Sequence, residues 1–183
     1  MSLTWVPNAL TVARCVLAIV VAWLILAQPA GSFLPAIAFI FVAITDFVDG
    51  WAARRLNAVS AFGAFLDPVA DKLLVGASLL ALVSLNDWAW SLLVPTLAIV
   101  IRDIVATGLR LIPSIEMPVS RLAKWKTALE MIGILGLLLA APLSISAIWT
   151  MGIIIVWLAA ALSVYTFGLY CGALIADSKR PHS

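Results

Sequence analysis

Residues 45–72 read TDFVDGWAARRLNAVSAFGAFLDPVADK. Four aspartates (Asp46, Asp49, Asp67 and Asp71) and three cations (Arg54, Arg55 and Lys72) stand here in a chain of 183 residues that is 64% hydrophobic and only 11% charged. Mean hydropathy is +1.16. Soluble domains are about 45–50% apolar and about 25% charged, so the composition is that of an integral membrane protein. A carboxylate at mid-bilayer costs on the order of 3 kcal/mol even on the lenient insertion scale. Four carboxylates grouped near the end of apolar segments therefore mark a site.

Outward from this stretch, six apolar segments can be traced, over residues 8–27, 33–53, 63–85, 88–109, 127–142 and 145–175. Most approach the ~20 residues that a bilayer-spanning helix needs. The fifth is short and is expected to begin in the charged stretch before it. Turn signals separate the segments: QPAGS at 28–32, LND at 85–87 and APLS at 141–144. The segments are too long for strands and lack a period of two. MSLTWVPNALTVAR has no basic residue before Arg14, which favours an ordinary first span over a cleaved leader. Cys15 and Cys171 lie in apolar segments and read as packed free thiols.

All eleven Lys and Arg residues lie at the N-terminal end, around the second-to-third and fourth-to-fifth connections, or at the C-terminus. The connections near 28–32, 85–88 and 142–146 have none. The positive-inside rule then predicts an all-α polytopic protein with six transmembrane helices and both termini cytoplasmic, forming a single membrane domain over residues 1–183. Trp88, Trp90 and Trp149 fit the outer interface, and Trp5, Trp51 and Trp125 the inner one.

A helix advances about 100° per residue, which puts Asp46 and Asp49 about 60° apart and Asp67 and Asp71 about 40° apart. The short connection RRLNAVSA predicts an antiparallel helix hairpin that lets the two pairs face each other. Four oxygen ligands from two helices suit hard divalent cations such as Mg²⁺ or Mn²⁺. Two such ions could clamp the attacking and leaving oxygens of a displacement at phosphorus. A proton or cation pathway is the rival on geometry alone; pairing of the aspartates with basic neighbours is the bland alternative. Gly50, Ala53 and Gly63 clear the helix faces beside the carboxylates, and Arg54 is suited to bind phosphates there.

The pattern Asp46-x2-Asp49-Gly50-x2-Ala53-Arg54-x8-Gly63-x3-Asp67-x3-Asp71 resembles the signature of the CDP-alcohol phosphotransferase family at all eight fixed positions. VPNALTVARCVLA at 6–18 is similar to the family's N-terminal opening. GAFLDPVADK, IRDIVATGLR and VSRLAKWKT resemble the bacterial phosphatidylglycerophosphate synthases within it. Ala123-Lys124 departs from the Gly-Lys common there, which bears on the acceptor and not on the reaction class.

The resemblance implies transfer of a phosphatidyl group from CDP-diacylglycerol to sn-glycerol 3-phosphate, with release of CMP. It implies two divalent ions held by Asp46, Asp49, Asp67 and Asp71, with Asp71 also the general base. It further implies a CDP site bordered by Asn8, Gly50, Ala53, Arg54 and Gly63. A homodimer in a bacterial inner membrane, with its active site facing the cytoplasm, follows from the same likeness; a nucleic-acid partner does not. Alternatives within the chemistry are phosphatidylglycerol, inositol phosphate or serine as acceptor.

A dianionic acceptor needs cations, and the candidates are Arg102, Arg110, Lys124 and Lys126 around the fourth-to-fifth connection. Lys124 and Lys126 do not share a helix face, so one of them is expected to point inward. Asp103 is expected to form a local ion pair or to face another helix. Glu130 has no partner that the sequence reveals. His182, the only histidine, sits at the extreme C-terminus and is not expected to be catalytic.

Overall fold

A computed structural model describes the backbone of residues 5–56, 61–110 and 121–178, and the side chains of 12–45, 69–70, 72–109 and 125–172. It is all-helical, with six helices: α1 (Trp5–Ala27), α2 (Leu34–Leu56), α3 (Ala61–Leu85), α4 (Trp90–Arg110), α5 (Arg121–Leu143) and α6 (Ser146–Ser178). Each apolar segment becomes one helix. The fifth begins at Arg121, inside the charged stretch, as its short apolar run required. Three helices contain stretches long and apolar enough to cross a membrane among the described residues: Trp90–Leu109, Trp125–Leu143 and Ser146–Gly172. At 33 residues, α6 extends about 50 Å, well beyond the ~30 Å of a hydrocarbon core.

The helices end where the turn signals stand. Ser144 adopts φ 56° after α5, Ser144 N–H donates to the Ala141 carbonyl at 3.1 Å, and Ile145 N–H donates to Ala140 at 3.2 Å. Those two bonds are a Schellman cap, with serine in the left-handed position that glycine usually fills. Asp87 takes the same position after α3 with φ 49°, and Trp88 N–H reaches back to the Val83 carbonyl at 3.1 Å. At the start of α2, the Ser32 hydroxyl accepts the Leu34 N–H at 3.2 Å.

Among the described residues, α1 packs on α2 and α3, α5 on α2, α3 and α6, and α4 on α3 and α6. The helices α2 and α3 thus share α1 and α5 as neighbours, while α4 and α6 close the α3–α5 side. The buried residues recur every three or four positions: Ala18, Val21 and Ile25 on α1, Ala36, Phe39 and Val42 on α2, Leu92, Thr96, Ile99, Asp103 and Ala106 on α4. This is one helix stripe turned inward. The opposite stripes are apolar too, with Trp23, Phe41, Ile104 and Leu158 exposed. An apolar exterior of this extent requires a hydrocarbon solvent. Cys15 and Cys171 are free and half-buried.

Two details fix α6 against its neighbours. Pro95 lies inside α4 and has no N–H to give to the Ser91 carbonyl one turn back; the indole Nε1 of Trp157 on α6 donates to that carbonyl at 2.8 Å. Glycines then let α5 and α6 approach. A Cβ built on Gly133 would lie 2.8 Å from Val156 Cγ2, and one on Gly152 would lie 2.9 Å from Leu137 Cδ2. Gly133→Ala should therefore cost about 1–3 kcal/mol through overpacking. Gly76→Ala, whose new Cβ would stand an ordinary 3.5 Å from Val100, should be neutral or stabilising. Thermal unfolding of both variants in one detergent checks this; equal behaviour would contradict the close α5–α6 seam.

Candidate functional site

The aspartates belong to uninterrupted helix. The backbone of α2 is helical through Asp46, Asp49, Gly50, Ala53 and Arg54, and that of α3 through Gly63, Asp67 and Asp71. The intervals of three and four residues are therefore true helical intervals, which places each pair along one side of its helix. The side chains of these residues, and of Asn8, Arg110 and Lys124, lie outside the described ones, as does His182 altogether. Immediately before Asp46, Thr45 turns its hydroxyl back into α2, donating to Val42 at 2.8 Å and to Phe41 at 3.0 Å. Its hydroxyl proton is satisfied within its own helix.

Beginning at the residue after Asp71, a second polar group is fully built. Asp103 on α4 is buried and accepts from three cations. Lys126 Nζ of α5 lies 2.5 Å from its Oδ1, Arg102 Nη1 lies 2.9 Å from the same oxygen, and Lys72 Nζ of α3 lies 3.2 Å from Oδ2. Lys126 also reaches Glu130 Oε1 at 3.2 Å, one turn along α5. The side chains of Lys126 and Glu130 are only 3% and 2% exposed. Arg102 extends toward α6, where its Nη2 donates to Thr166 Oγ1 at 3.5 Å and its guanidinium carbon stands 5.8 Å from the Phe167 ring centroid. The remaining guanidinium donor, Nε, is buried without a hydrogen-bond partner.

These contacts sharpen the expectations around the fourth-to-fifth connection. Asp103 does both things expected of it, pairing beside itself and across to α3 and α5. Lys126 points inward, while its neighbour Trp125 is 67% exposed; the side chain of Lys124 lies outside the described ones. Glu130, for which the sequence offered no partner, stands at ion-pair distance from Lys126, although its Oε1 makes no hydrogen bond. The i,i+4 spacing of Lys126 and Glu130 was the available signal. No spacing signals Lys72 with Asp103, because that contact joins two helices 31 positions apart in the chain.

Three cationic side chains thus face two carboxyl groups. Among the described residues the cations of this group outnumber its carboxyl groups, next to the helical turn that carries Asp67 and Asp71. An arrangement of carboxylates next to surplus cations can hold metal ions on one side and an anionic substrate on the other.

The sequence profile of the CDP-alcohol phosphatidyltransferase family matches residues 4–165. That span contains both aspartate pairs and the whole Asp103 group, and the chain belongs to this family. It is similar to the CDP-diacylglycerol–glycerol-3-phosphate 3-phosphatidyltransferases of Rickettsia bellii and Rickettsia typhi. Each is 38% identical over 165 residues, covering 87% of this chain and 90% and 91% of those relatives. A protein of Oryza sativa named cardiolipin synthase (CMP-forming) is 36% identical over 149 residues, covering 72% of this chain and 45% of the relative.

Proposed function

We propose that the protein transfers the phosphatidyl group of CDP-diacylglycerol to a hydroxyl of sn-glycerol 3-phosphate, giving phosphatidylglycerophosphate and CMP. The observation that carries this is the complete eight-position aspartate pattern on two continuous helices, in a chain 38% identical to relatives named for that reaction.

In this reading the acceptor oxygen attacks the phosphorus that bears the diacylglycerol. Its proton passes to the Asp71 carboxylate, and the bond to the CMP phosphate breaks with its electron pair leaving on CMP. Asn8, Gly50, Ala53, Arg54 and Gly63 border the CDP group, the small residues by leaving room and Arg54 by binding phosphate oxygens. The donor set fits a divalent metal: four carboxylates in two helical pairs offer hard oxygen ligands. Asp46, Asp49, Asp67 and Asp71 would hold two Mg²⁺ or Mn²⁺ ions, which would supply charge neutralisation on the diphosphate. Arg102, Arg110, Lys124 and Lys126 provide the cationic side for the acceptor phosphate, and the buried, unpartnered Nε of Arg102 is a donor suited to an anion. Lys126 contributes its charge from between Asp103 and Glu130.

All six helices span the membrane in this account, with both termini in the cytoplasm of a bacterium and the aspartates just inside the inner-membrane surface. The absence of Lys and Arg from the three opposite connections supports that orientation. A homodimer is part of the same proposal. A second reading takes phosphatidylglycerol as acceptor; the likeness to the rice cardiolipin synthase favours it.

The test is to supply purified protein with CDP-diacylglycerol, Mg²⁺ and labelled glycerol 3-phosphate. Label should move into the lipid phase; label that stays in the aqueous phase while CMP forms with phosphatidylglycerol would favour the second reading. Arg102→Ala should raise KM for glycerol 3-phosphate by about 10–100-fold, the worth of a charged hydrogen bond, and leave that for CDP-diacylglycerol nearly unchanged. Equal changes would remove Arg102 from the acceptor pocket.

A further inference from the structure

We propose that Asp103 is a positioning residue that ties the helical turn carrying Asp71 to α4 and α5. The inference rests on the role given to Asp71 above. Lys72 directly follows Asp71 in continuous helix, so anything that fixes Lys72 fixes that turn. Its ammonium is bonded to Asp103 Oδ2 at 3.2 Å, and the other carboxylate oxygen is taken by Lys126 and Arg102. Both oxygens of one 8%-exposed side chain are thereby committed, to three cations on three helices.

The apolar packing around this contact is open. A cavity of about 360 Å³, half open to the exterior, lies along the α3–α4 contact, lined by Val69, Leu73, Gly76, Ile99, Val100 and Ile104 among others, with Lys72 and Asp103 in its wall. A close-packed interior holds its helices by interdigitated side chains. Beside this opening α3 and α4 are less closely interdigitated, and the Lys72–Asp103 pair joins the two helices at its wall. In a low-dielectric setting that pair is strong and directional. Without it α3 can shift toward the cavity, and a displacement of about 1 Å at a reacting group costs on the order of 10²-fold in rate.

The experiment uses the full chain in lipid nanodiscs and follows CMP release with glycerol 3-phosphate. Asp103→Asn and Lys72→Met should each lower kcat by about 10–100-fold while KM for CDP-diacylglycerol stays within about twofold. The double variant Lys72→Met/Asp103→Asn should be no slower than the slower single variant, because both remove one tie. Asp103→Glu, which keeps the charge, should recover part of the rate. The double variant Lys72→Met/Asp103→Asn also removes one charge of each sign and leaves the Lys126–Glu130 pair in place, so it should regain part of the thermal stability lost in Asp103→Asn without regaining kcat. Several results would overturn the inference while leaving the proposed function intact: wild-type kcat in Lys72→Met, multiplicative losses in the double variant, or recovery of kcat together with stability in that double variant. Lys72→Met leaves Asp103 with two cations, so it reports even if Asp103→Asn fails to fold. A folded wild-type protein that releases no CMP with any acceptor would overturn the proposed function and this inference together.

Discussion

Asp71→Asn should lower the rate of CMP release by about 10²-fold or more, the usual contribution of a positioned general base. The substitution keeps size and shape but removes the proton acceptor. It also weakens an oxygen ligand, and the two effects separate in a metal titration. If Asp71 served only to hold metal, raising Mg²⁺ or Mn²⁺ would restore most of the rate. With a base missing, saturating metal leaves the defect in place. Asp71 stands four residues after Asp67 in continuous helix, so both carboxylates can serve one substrate from one side of α3. A variant that retains the wild-type rate within a few-fold would remove Asp71 from the chemistry.

Lys126→Met should destabilise the folded protein by about 3–5 kcal/mol, the cost of removing one partner from a buried ion pair. The ammonium is 3% exposed and lies between Asp103 and Glu130. Asp103 would keep Lys72 and Arg102, but Glu130, 2% exposed, would lose the one ion-pair partner it has among the described residues. A second substitution, Glu130→Gln, should therefore recover most of the loss, since a neutral amide is far cheaper to bury than an unpaired carboxylate. Unfolding midpoints of the single and double variants measure this. A loss below about 1 kcal/mol for Lys126→Met, typical of exposed pairs, would mean that water reaches the cluster.

The helices were legible because their boundaries are written in local chemistry. QPAGS and APLS mark the turns, and the Ser144 cap sits within the second of them. The aspartate helices were legible because charge is conspicuous in an apolar chain and because three- and four-residue intervals have one geometric meaning in a helix. The inward faces were not. In a soluble helix polarity separates core from solvent, but here Ile99 is buried and Ile104 exposed on the same helix, and hydropathy does not distinguish them. Small and polar residues carry that information instead. Ser78, Thr96 and Ser163 are fully buried, and Gly133, Gly136 and Gly152 form the α5–α6 seam. Arg102 and Lys126 stood out as cations. The pairing of Arg102 with Asp103 was legible from their adjacency, but the reach of Lys72 and Lys126 to Asp103 depends on α3, α4 and α5 meeting, which no interval in the chain encodes.

The proposed function joins a choice of acceptor to a requirement for a divalent metal. The most direct measurement presents purified, folded protein with CDP-diacylglycerol and Mg²⁺ or Mn²⁺ and offers glycerol 3-phosphate, phosphatidylglycerol, inositol phosphate and serine in parallel, following CMP. CMP should form with glycerol 3-phosphate, with none of the other three, and with no acceptor after chelation of the metal. CMP formed only with another acceptor, or undiminished after chelation, would contradict the proposed function.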